Sequence, residues 1–240
     1  MTDTTISNEL IAKYQGLTTA AVSSVMSELG YANVCMPGIR AFTPGLKMVG
    51  RAVTVRFVPI REDQKKRLAD LRAQGVPLPS HVPFHRGKAG QVIVADAQGD
   101  LSAGIIGDML IGQFHRDGGT GVVVDGAVRD YPILKDMGCP LFLKGTNPYA
   151  SNRNKYAADV NVPIQCGGIL VLPGDLIFGD DDGVLAYPFE LAEQVAEKAA
   201  ENEAVEAYAH DRILAGAPIA EYYPPGPKVR EEYFRERGRG

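Results

Sequence analysis

The chain has 240 residues, of which 45 % are hydrophobic and 22 % charged, and its formal net charge is −4. These values are ordinary for a globular protein and fit one large domain. They exclude the basic surface that nucleic-acid-binding proteins carry, so we expect no nucleic-acid partner. Basic residues gather in "REEYFRERGRG" (230–240), but glutamates interleave them, which indicates a solvated tail.

The cysteines and the apolar segments indicate the cellular compartment of the protein. Cys35, Cys139 and Cys166 are odd in number, widely separated and without CxxC spacing, which argues against a disulfide framework. The N-terminus lacks the apolar core of a signal peptide, and no apolar run is long enough to span a bilayer. We therefore expect a cytoplasmic protein with no membrane contact.

The first third of the chain predicts helix, helix, strand and helix. Residues 7–30 form two helical patterns, with Thr18 or Thr19 as the second N-cap and Gly30 at its end. Residues 48–58 alternate as a strand does. Residues 61–75 predict an exposed helix with Leu68 and Leu71 on its inner side. No helix should cross the proline-rich stretch 76–90.

From residue 91 the pattern becomes β–α–β–α–β. The successive segments are "QVIVADA" (91–97), "GDMLIGQFHRDGG" (107–119), "GVVVDG" (121–126), "PILKDMG" (132–138) and "PLFLKG" (140–145). This order predicts neighbouring, largely parallel strands.

The last third predicts two strands and a long helix. The strands lie within 166–188, around turns at 173–175 and 182–183. The helix covers 188–216 and ends at Gly216. Residues 217–240 should form an extended or mobile arm.

The start of the first helix of the β–α–β–α–β run could bind an anion. Gly107 allows close backbone approach, and Asp108 is a suitable N-cap. The amides of Met109 and Leu110 would then be free donors that suit a carboxylate or phosphate. A merely capped helix explains the same pattern, and Asp108 would repel an anion unless a metal or arginine intervened.

A second polar group follows the next strand, in "VVVDGAVRDYP". Asp125 and Gly126 predict a turn, and Tyr131 before Pro132 is the expected N-cap. The pair Arg129–Asp130 has no evident role in folding and could be a surface ion pair. However, both motifs follow neighbouring strands, at the edge of an α/β sheet where ligands gather. Carboxylates there suit Mg²⁺ or Mn²⁺, and an arginine suits a carboxylate or an enolate oxygen.

Other signals are weaker. His81 and His85 have zinc-like spacing, but Pro83 disfavours a helix there, and no HExxH is present. The run "DDDG" (180–183) lacks the remaining ligands of a calcium loop. Nucleotide-binding and GxSxG motifs are absent from the sequence. Lys144 could form a Schiff base but is more simply a solvated lysine at a strand end.

Three segments together resemble a known family. "GDMLIGQFHRDGGTGVVVDGAVRDYPILKDMGCPLFLKG" (107–145) resembles the core of the 4-hydroxy-4-methyl-2-oxoglutarate/4-carboxy-4-hydroxy-2-oxoadipate aldolases, which are grouped with the regulator of ribonuclease activity A. "TTAAVSSVMSELG" (18–30) resembles the family's first helix, and "PIQCGGILVLPGDLIFGDDDGVLAYP" (163–188) its second signature. The match runs from about 17 to 216. Segment 61–85 is longer and more polar than expected for the short regulators.

The resemblance implies a fold and an assembly. The fold is α/β, a three-layer α/β/β/α-type sandwich, here a single domain over 1–216 with the arm at 217–240. The family assembles as homotrimers or homohexamers whose active sites lie between subunits.

The resemblance also implies a role for each residue of the first two motifs. Asp130 would bind Mg²⁺ or Mn²⁺, and Arg129 would contact the keto oxygen of pyruvate. Asp108 would hold water beside the metal. The amides of Met109 and Leu110, made accessible by Gly107, would bind the pyruvate carboxylate.

A glutamate from the late helix of a neighbouring subunit would complete the water network, and we place it at Glu206, with Glu203 as the second choice. No histidine or lysine base is evident, so ordered water would carry the proton.

The implied function is that of a divalent-metal-dependent class II aldolase. It would cleave a 4-hydroxy-2-keto diacid to pyruvate and a 2-keto acid, and it would decarboxylate oxaloacetate through the same enolate. One alternative is a non-catalytic regulator of a ribonuclease, but by resemblance such regulators lose the aspartate after the arginine, which this chain keeps. Another alternative is a metal-dependent dehydratase or decarboxylase of a related 2-keto acid, with segment 61–85 reshaping the pocket.

Overall fold

The computed structural model describes residues 6–78, 81–85 and 89–238. The helices are α1 Asn8–Gln15, α2 Thr19–Glu28, α3 Glu62–Ala73, α4 Val82–His85, α5 Asp108–Arg116, α6 Tyr131–Leu134, α7 Ala192–Leu214, α8 Ile219–Tyr222 and α9 Pro227–Arg237. The strands are β1 Arg40–Ala41, β2 Met48–Pro59, β3 Gln91–Gly104, β4 Gly121–Val128, β5 Leu141–Thr146, β6 Lys155–Val160, β7 Ile164–Cys166, β8 Ile169–Val171, β9 Leu176–Asp180 and β10 Gly183–Tyr187. Short 3₁₀ turns lie at Ser151–Arg153 and Phe189–Leu191.

An eight-stranded mixed sheet organises the chain. Its order is β1-β5-β4-β3-β2-β9-β10, with β6 paired to β2. Strands β2, β3, β4 and β5 run parallel to one another, β1, β6 and β9 pair with this group in the antiparallel direction, and β9 and β10 form an antiparallel hairpin. The predicted β–α–β–α–β unit is therefore confirmed. Strands of this kind are buried on both faces, which explains the unbroken valine run of β4.

Helices cover one face of this sheet, and a small second sheet covers the other. On the first face, Phe114 of α5 packs with Ile93 and Val122, while α1, α2 and α7 pack over the β9–β10 end. On the second face, Cys166 and Val171 of the β7–β8 hairpin pack with alternate residues of the central strands. The predicted α/β fold class is confirmed, with helices, large sheet and small sheet as the layers of the described chain.

Several local predictions are also confirmed. Thr18 is the N-cap of α2, and its hydroxyl accepts from the amide of Ala21. Helix α3 has no buried residue, and Leu68 and Leu71 are partly buried on its inner side. The cysteines are free, with Cys35 exposed and the other two buried. Within the described ranges, no helix is long and apolar enough to cross a membrane.

Two predictions about chain segments are wrong. Residues 82–85 form one helical turn despite Pro83, because proline is tolerated in a first turn, where its missing N–H has no helical partner. The proposed extended arm contains α8 and α9. Val229 packs on Val205 and Ala209 of α7, so the apolar face of α9 stabilises the helical form. Residues 79–80, 86–88 and 239–240 of these two segments lie outside the described part.

Candidate active site

The two predicted motifs line one cavity of about 400 Å³ at the carboxyl edge of the parallel strands. Residues 107–110 follow β3, and Arg129 and Asp130 follow β4, which lies beside β3. The juxtaposition expected from the strand order is therefore confirmed.

Glycine at 107 allows the two motifs to approach each other. A Cβ at this position would collide with Oδ2 of Asp130 and lie 3.1 Å from Nε of Arg129. Any larger residue would displace the side chains of Asp130 and Arg129. Glycine at 107 therefore leaves room for this pair, and the role of Gly107 in substrate binding stays a prediction.

Arg129 and Asp130 form an ion pair, with 2.8 Å between Nε and Oδ2. Their side chains are 42 % and 31 % exposed, so both remain accessible from the cavity. Asp130 has φ 61 and ψ 27, a left-handed conformation that is uncommon for a residue other than glycine. Backbone strain of this kind costs free energy and is concentrated at functional sites.

The beginning of α5 differs from the prediction. The N-cap is Gly107, and Asp108 is the first helical residue. Its Oδ1 accepts from the amide of Met109 at 2.8 Å, so its side chain already engages one of the two predicted anion-binding amides. The backbone ladder begins with Ile111, which donates to the carbonyl of Gly107. The amide of Leu110 thus precedes the first helical donor.

The N-cap of α6 is Asp130, and the prediction of Tyr131 is wrong. The left-handed backbone at Asp130 places its carbonyl to accept from the amides of Ile133 and Leu134. Tyr131 instead packs against the ring of Phe42, and its hydroxyl donates to the Phe42 carbonyl at 2.7 Å. Asp130, the candidate metal ligand, is therefore fixed in position as the N-cap of α6.

Asp125 lies inside β4, and the predicted turn at this residue is wrong. Its side chain is 1 % exposed, and Nζ of Lys144 lies 2.6 Å from its Oδ1. Its Oδ2 accepts from the amide of Gly167 at 3.1 Å. Asp125 pairs with Asp96 of β3, while the β4–β5 ladder skips Asp125 and Gly126, so an irregularity within the strand takes the place of the predicted turn. Lys144 is correspondingly an ion-pair partner, and its prediction as a solvated lysine is also wrong.

Asp96 is a buried carboxyl that the sequence reading missed. It stands directly beside Asp125 in the register of β3 and β4. Burial raises its pKa, although a hydrogen bond from the amide of Gln98 opposes this shift. The signal was available, because an aspartate ends the apolar run of each of these two neighbouring strands. We call Asp96, Asp125 and Lys144 the buried charge cluster.

The glutamates of α7 do not line the candidate cavity of their own chain. Oε1 of Glu203 accepts from the amide and hydroxyl of Thr18, both at 2.7 Å. Glu206 lines a separate cavity of about 490 Å³, beside His210 and Tyr223. The assignment of Glu206, or Glu203, to the site of a neighbouring subunit stays a prediction.

Segment 61–85 contributes residues that the sequence reading did not single out for this site. Arg72, Leu78 and His81 line the same cavity as Asp108 and Arg129. The long connection between β2 and β3 brings them there, which no local pattern could indicate. The idea that this segment shapes the pocket has support. The weak zinc signal of His81 and His85 is not tested, because the side chain of His85 lies outside the described part of the chain.

Fold and site together define a mixed α/β protein with a polar cavity at the carboxyl ends of its parallel strands. A family model described as "RraA-like: Aldolase/RraA" matches residues 19–186. The chain therefore belongs to the RraA-like family, as the resemblance implied.

Individual relatives agree with this assignment. A protein of Halalkalibacterium halodurans named "Putative 4-hydroxy-4-methyl-2-oxoglutarate aldolase" is 34 % identical over 211 residues, covering 86 % of this chain and 91 % of that protein. An uncharacterized protein of Pseudomonas syringae pv. tomato has a TM-score of 0.79 and 26 % identity, covering 92 % and 96 % of the two chains. Streptomyces coelicolor RraAS2, described as an unusual member of the RNase ES inhibitor RraA family, has a TM-score of 0.74 and 32 % identity, covering 85 % and 97 %.

Proposed function

We propose that the chain is a divalent-metal-dependent pyruvate aldolase. It cleaves a 4-hydroxy-2-keto diacid to pyruvate and a second 2-keto acid, and it decarboxylates oxaloacetate. The observation that carries this proposal is the convergence of Asp108, Asp130, Arg129 and a helix start on one cavity. The named aldolase relative supports the same chemistry.

The donor set suits a hydrated divalent cation. Asp108 and Asp130 line the cavity, and Mg²⁺ commonly takes one or two protein carboxylates while keeping several waters. We assign Asp130 as the protein ligand of Mg²⁺ or Mn²⁺ and Asp108 as the group that holds nearby water. When bound, such an ion acts as a Lewis acid that polarises the carbonyl of the substrate.

Arg129 and the start of α5 would position the pyruvyl part of the substrate. The backbone N–H groups of Met109 and Leu110, in the first turn of α5, would donate hydrogen bonds to the carboxylate of the pyruvyl part. Because Asp108 already accepts from the Met109 amide, its carboxylate must rotate away for both amides to bind. The Arg129 guanidinium stabilises negative charge on the keto oxygen.

The bond changes then follow in order. The 4-hydroxyl gives its proton to the water ordered by Asp108, the C3–C4 bond breaks, and C4 becomes the keto carbon of the departing 2-keto acid. The electron pair of that bond remains on the pyruvyl fragment as an enolate beside Arg129. Water ordered by Asp108, with Glu206 of a neighbouring subunit, returns a proton to C3 and gives pyruvate.

Pyruvate release provides the test. The protein is incubated with Mg²⁺ or Mn²⁺ and either oxaloacetate or a 4-hydroxy-2-keto diacid, and pyruvate is measured with and without EDTA. We expect release that EDTA abolishes and added metal restores. If no substrate of either kind yields metal-dependent pyruvate, the aldolase proposal is wrong.

The similarity to RraAS2 favours a second candidate, a protein that inhibits a ribonuclease by contact. This candidate needs no metal and no intact Arg129–Asp130 pair. Cleavage of an RNA by an RNase E-type enzyme, measured with increasing amounts of the chain, tests it. Metal-independent inhibition together with no pyruvate release would favour the regulator.

A further inference from the structure

Arg72 brings a second arginine to the candidate cavity, from a part of the chain that the mechanism above does not use. We infer that Arg72 binds the distal carboxylate of the substrate and makes the site selective for 2-keto diacids over 2-keto monoacids. This inference rests on the proposed function and adds a specificity-determining residue to it.

The position of Arg72 carries the first step. It lies in the last turn of α3 and lines the same cavity as Asp108 and Arg129. Arg129 reaches the cavity from the end of β4, whereas Arg72 reaches it from the connection between β2 and β3. The cavity is therefore supplied with guanidinium groups from two separate elements. A substrate with one carboxylate at each end presents two acceptors for such groups.

The guanidinium of Arg72 has hydrogen-bond donors that are available to a ligand. In the described part of the chain no side chain forms an ion pair or hydrogen bond with it, whereas Arg129 is paired with Asp130. A guanidinium carries five N–H donors in a fork that matches a carboxylate. The side chain is exposed, so it can reach a ligand without first breaking a protein contact.

The charges of the cavity give the third step. Arg72 and Arg129 balance Asp108 and Asp130, so these four groups together are neutral. A divalent cation would add two positive charges, and Glu206 of a neighbouring subunit would add one negative charge. A diacid offers Arg72 a carboxylate that a monoacid lacks, so the arrangement favours a diacid.

The test compares two substrates on matched variants. One is a 4-hydroxy-2-keto diacid, and the other is the monoacid with a methyl group in place of the distal carboxylate. We expect Arg72→Gln to lower kcat/KM for the diacid by about tenfold or more, since charged hydrogen bonds are of that strength, and to leave the monoacid unchanged. Arg72→Lys should recover part of the loss, because it keeps the charge without the fork.

Arg67→Gln is the matched control, because it removes the same charge from α3 at a position that does not line the cavity. Calorimetric binding of 2-oxoglutarate and pyruvate, with Mg²⁺ present, gives a readout independent of turnover. Arg72→Gln should lower the affinity for 2-oxoglutarate and leave the affinity for pyruvate unchanged.

The outcomes separate the two proposals. Suppose that the wild type cleaves the diacid, and that Arg72→Gln prefers diacids over monoacids as strongly as the wild type does, both in turnover and in calorimetric binding. The inference about Arg72 then fails, while the aldolase proposal stands. If the wild type cleaves nothing, the aldolase proposal fails. In that case binding decides the role of Arg72, and an unchanged affinity for 2-oxoglutarate would reject it.

Discussion

The molecule holds two sets of charged residues at the ends of the same parallel strands, and they differ in what covers them. In the candidate site, the side chains of Arg129 and Asp130 are 42 % and 31 % exposed and open on a cavity. In the buried charge cluster, Asp125 is 1 % exposed and is paired with Lys144 beneath the β7–β8 hairpin. Arg129 and Asp130 can exchange their mutual ion pair for contacts with a ligand. The buried charge cluster is closed to ligands and stabilises the fold.

The direction of the strand residues explains the difference. Asp125 is still within β4 and shares its face with Val123, which packs toward the second sheet. Arg129 and Asp130 lie beyond the last residue of β4, where the chain turns into α6. A few positions along one strand therefore separate a structural aspartate from a candidate catalytic one.

The largest effect is expected at Asp130. Asp130→Asn should reduce metal-dependent pyruvate release by at least about 10²–10³-fold, because it removes the proposed metal ligand and its charge. Asparagine also tolerates the left-handed backbone found here, so the fold should survive. Asp136→Asn, at an exposed site after α6, is the control. Full activity of the Asp130 variant would remove this residue from its role.

The next effect concerns stability rather than turnover. Lys144→Met should lower the free energy of unfolding by about 3–5 kcal/mol, because it leaves Asp125 charged and buried without its cation. Urea denaturation measures this, with the exposed Lys135→Met as the matched control. The double variant Lys144→Met/Asp125→Asn should regain part of the loss. A Lys144 variant as stable as the wild type would show that this ion pair does not hold the cluster.

A smaller effect is expected at Asp96, whose pKa is raised mainly by burial and also by the neighbouring Asp125. A carboxyl with a raised pKa in the folded state destabilises the protein above that pKa and not below its unfolded value. Asp96→Asn should therefore increase stability at pH 7, and this gain should shrink as the pH falls toward 4. Urea midpoints of both proteins across this range provide the check. A gain independent of pH would contradict the assignment.

The sequence was sufficient for the parallel strand order and for the meeting of the two site motifs. Apolar strand segments that alternate with helical segments predict parallel neighbouring strands, and parallel strands bring their carboxyl ends to one edge of the sheet. It was not sufficient for Asp125, because the chain continues as a strand through a local irregularity where the sequence predicts a turn. Nor could it indicate Arg72, because only the folded connection between β2 and β3 brings α3 to the cavity.

A crystal structure with Mn²⁺ and pyruvate tests the central claim most directly. We expect anomalous density for the metal at Asp130, with the pyruvate carboxylate at the start of α5 and the keto oxygen beside Arg129. Density for neither ligand in the cavity, with Asp130 still bound to Arg129 alone, would contradict the account.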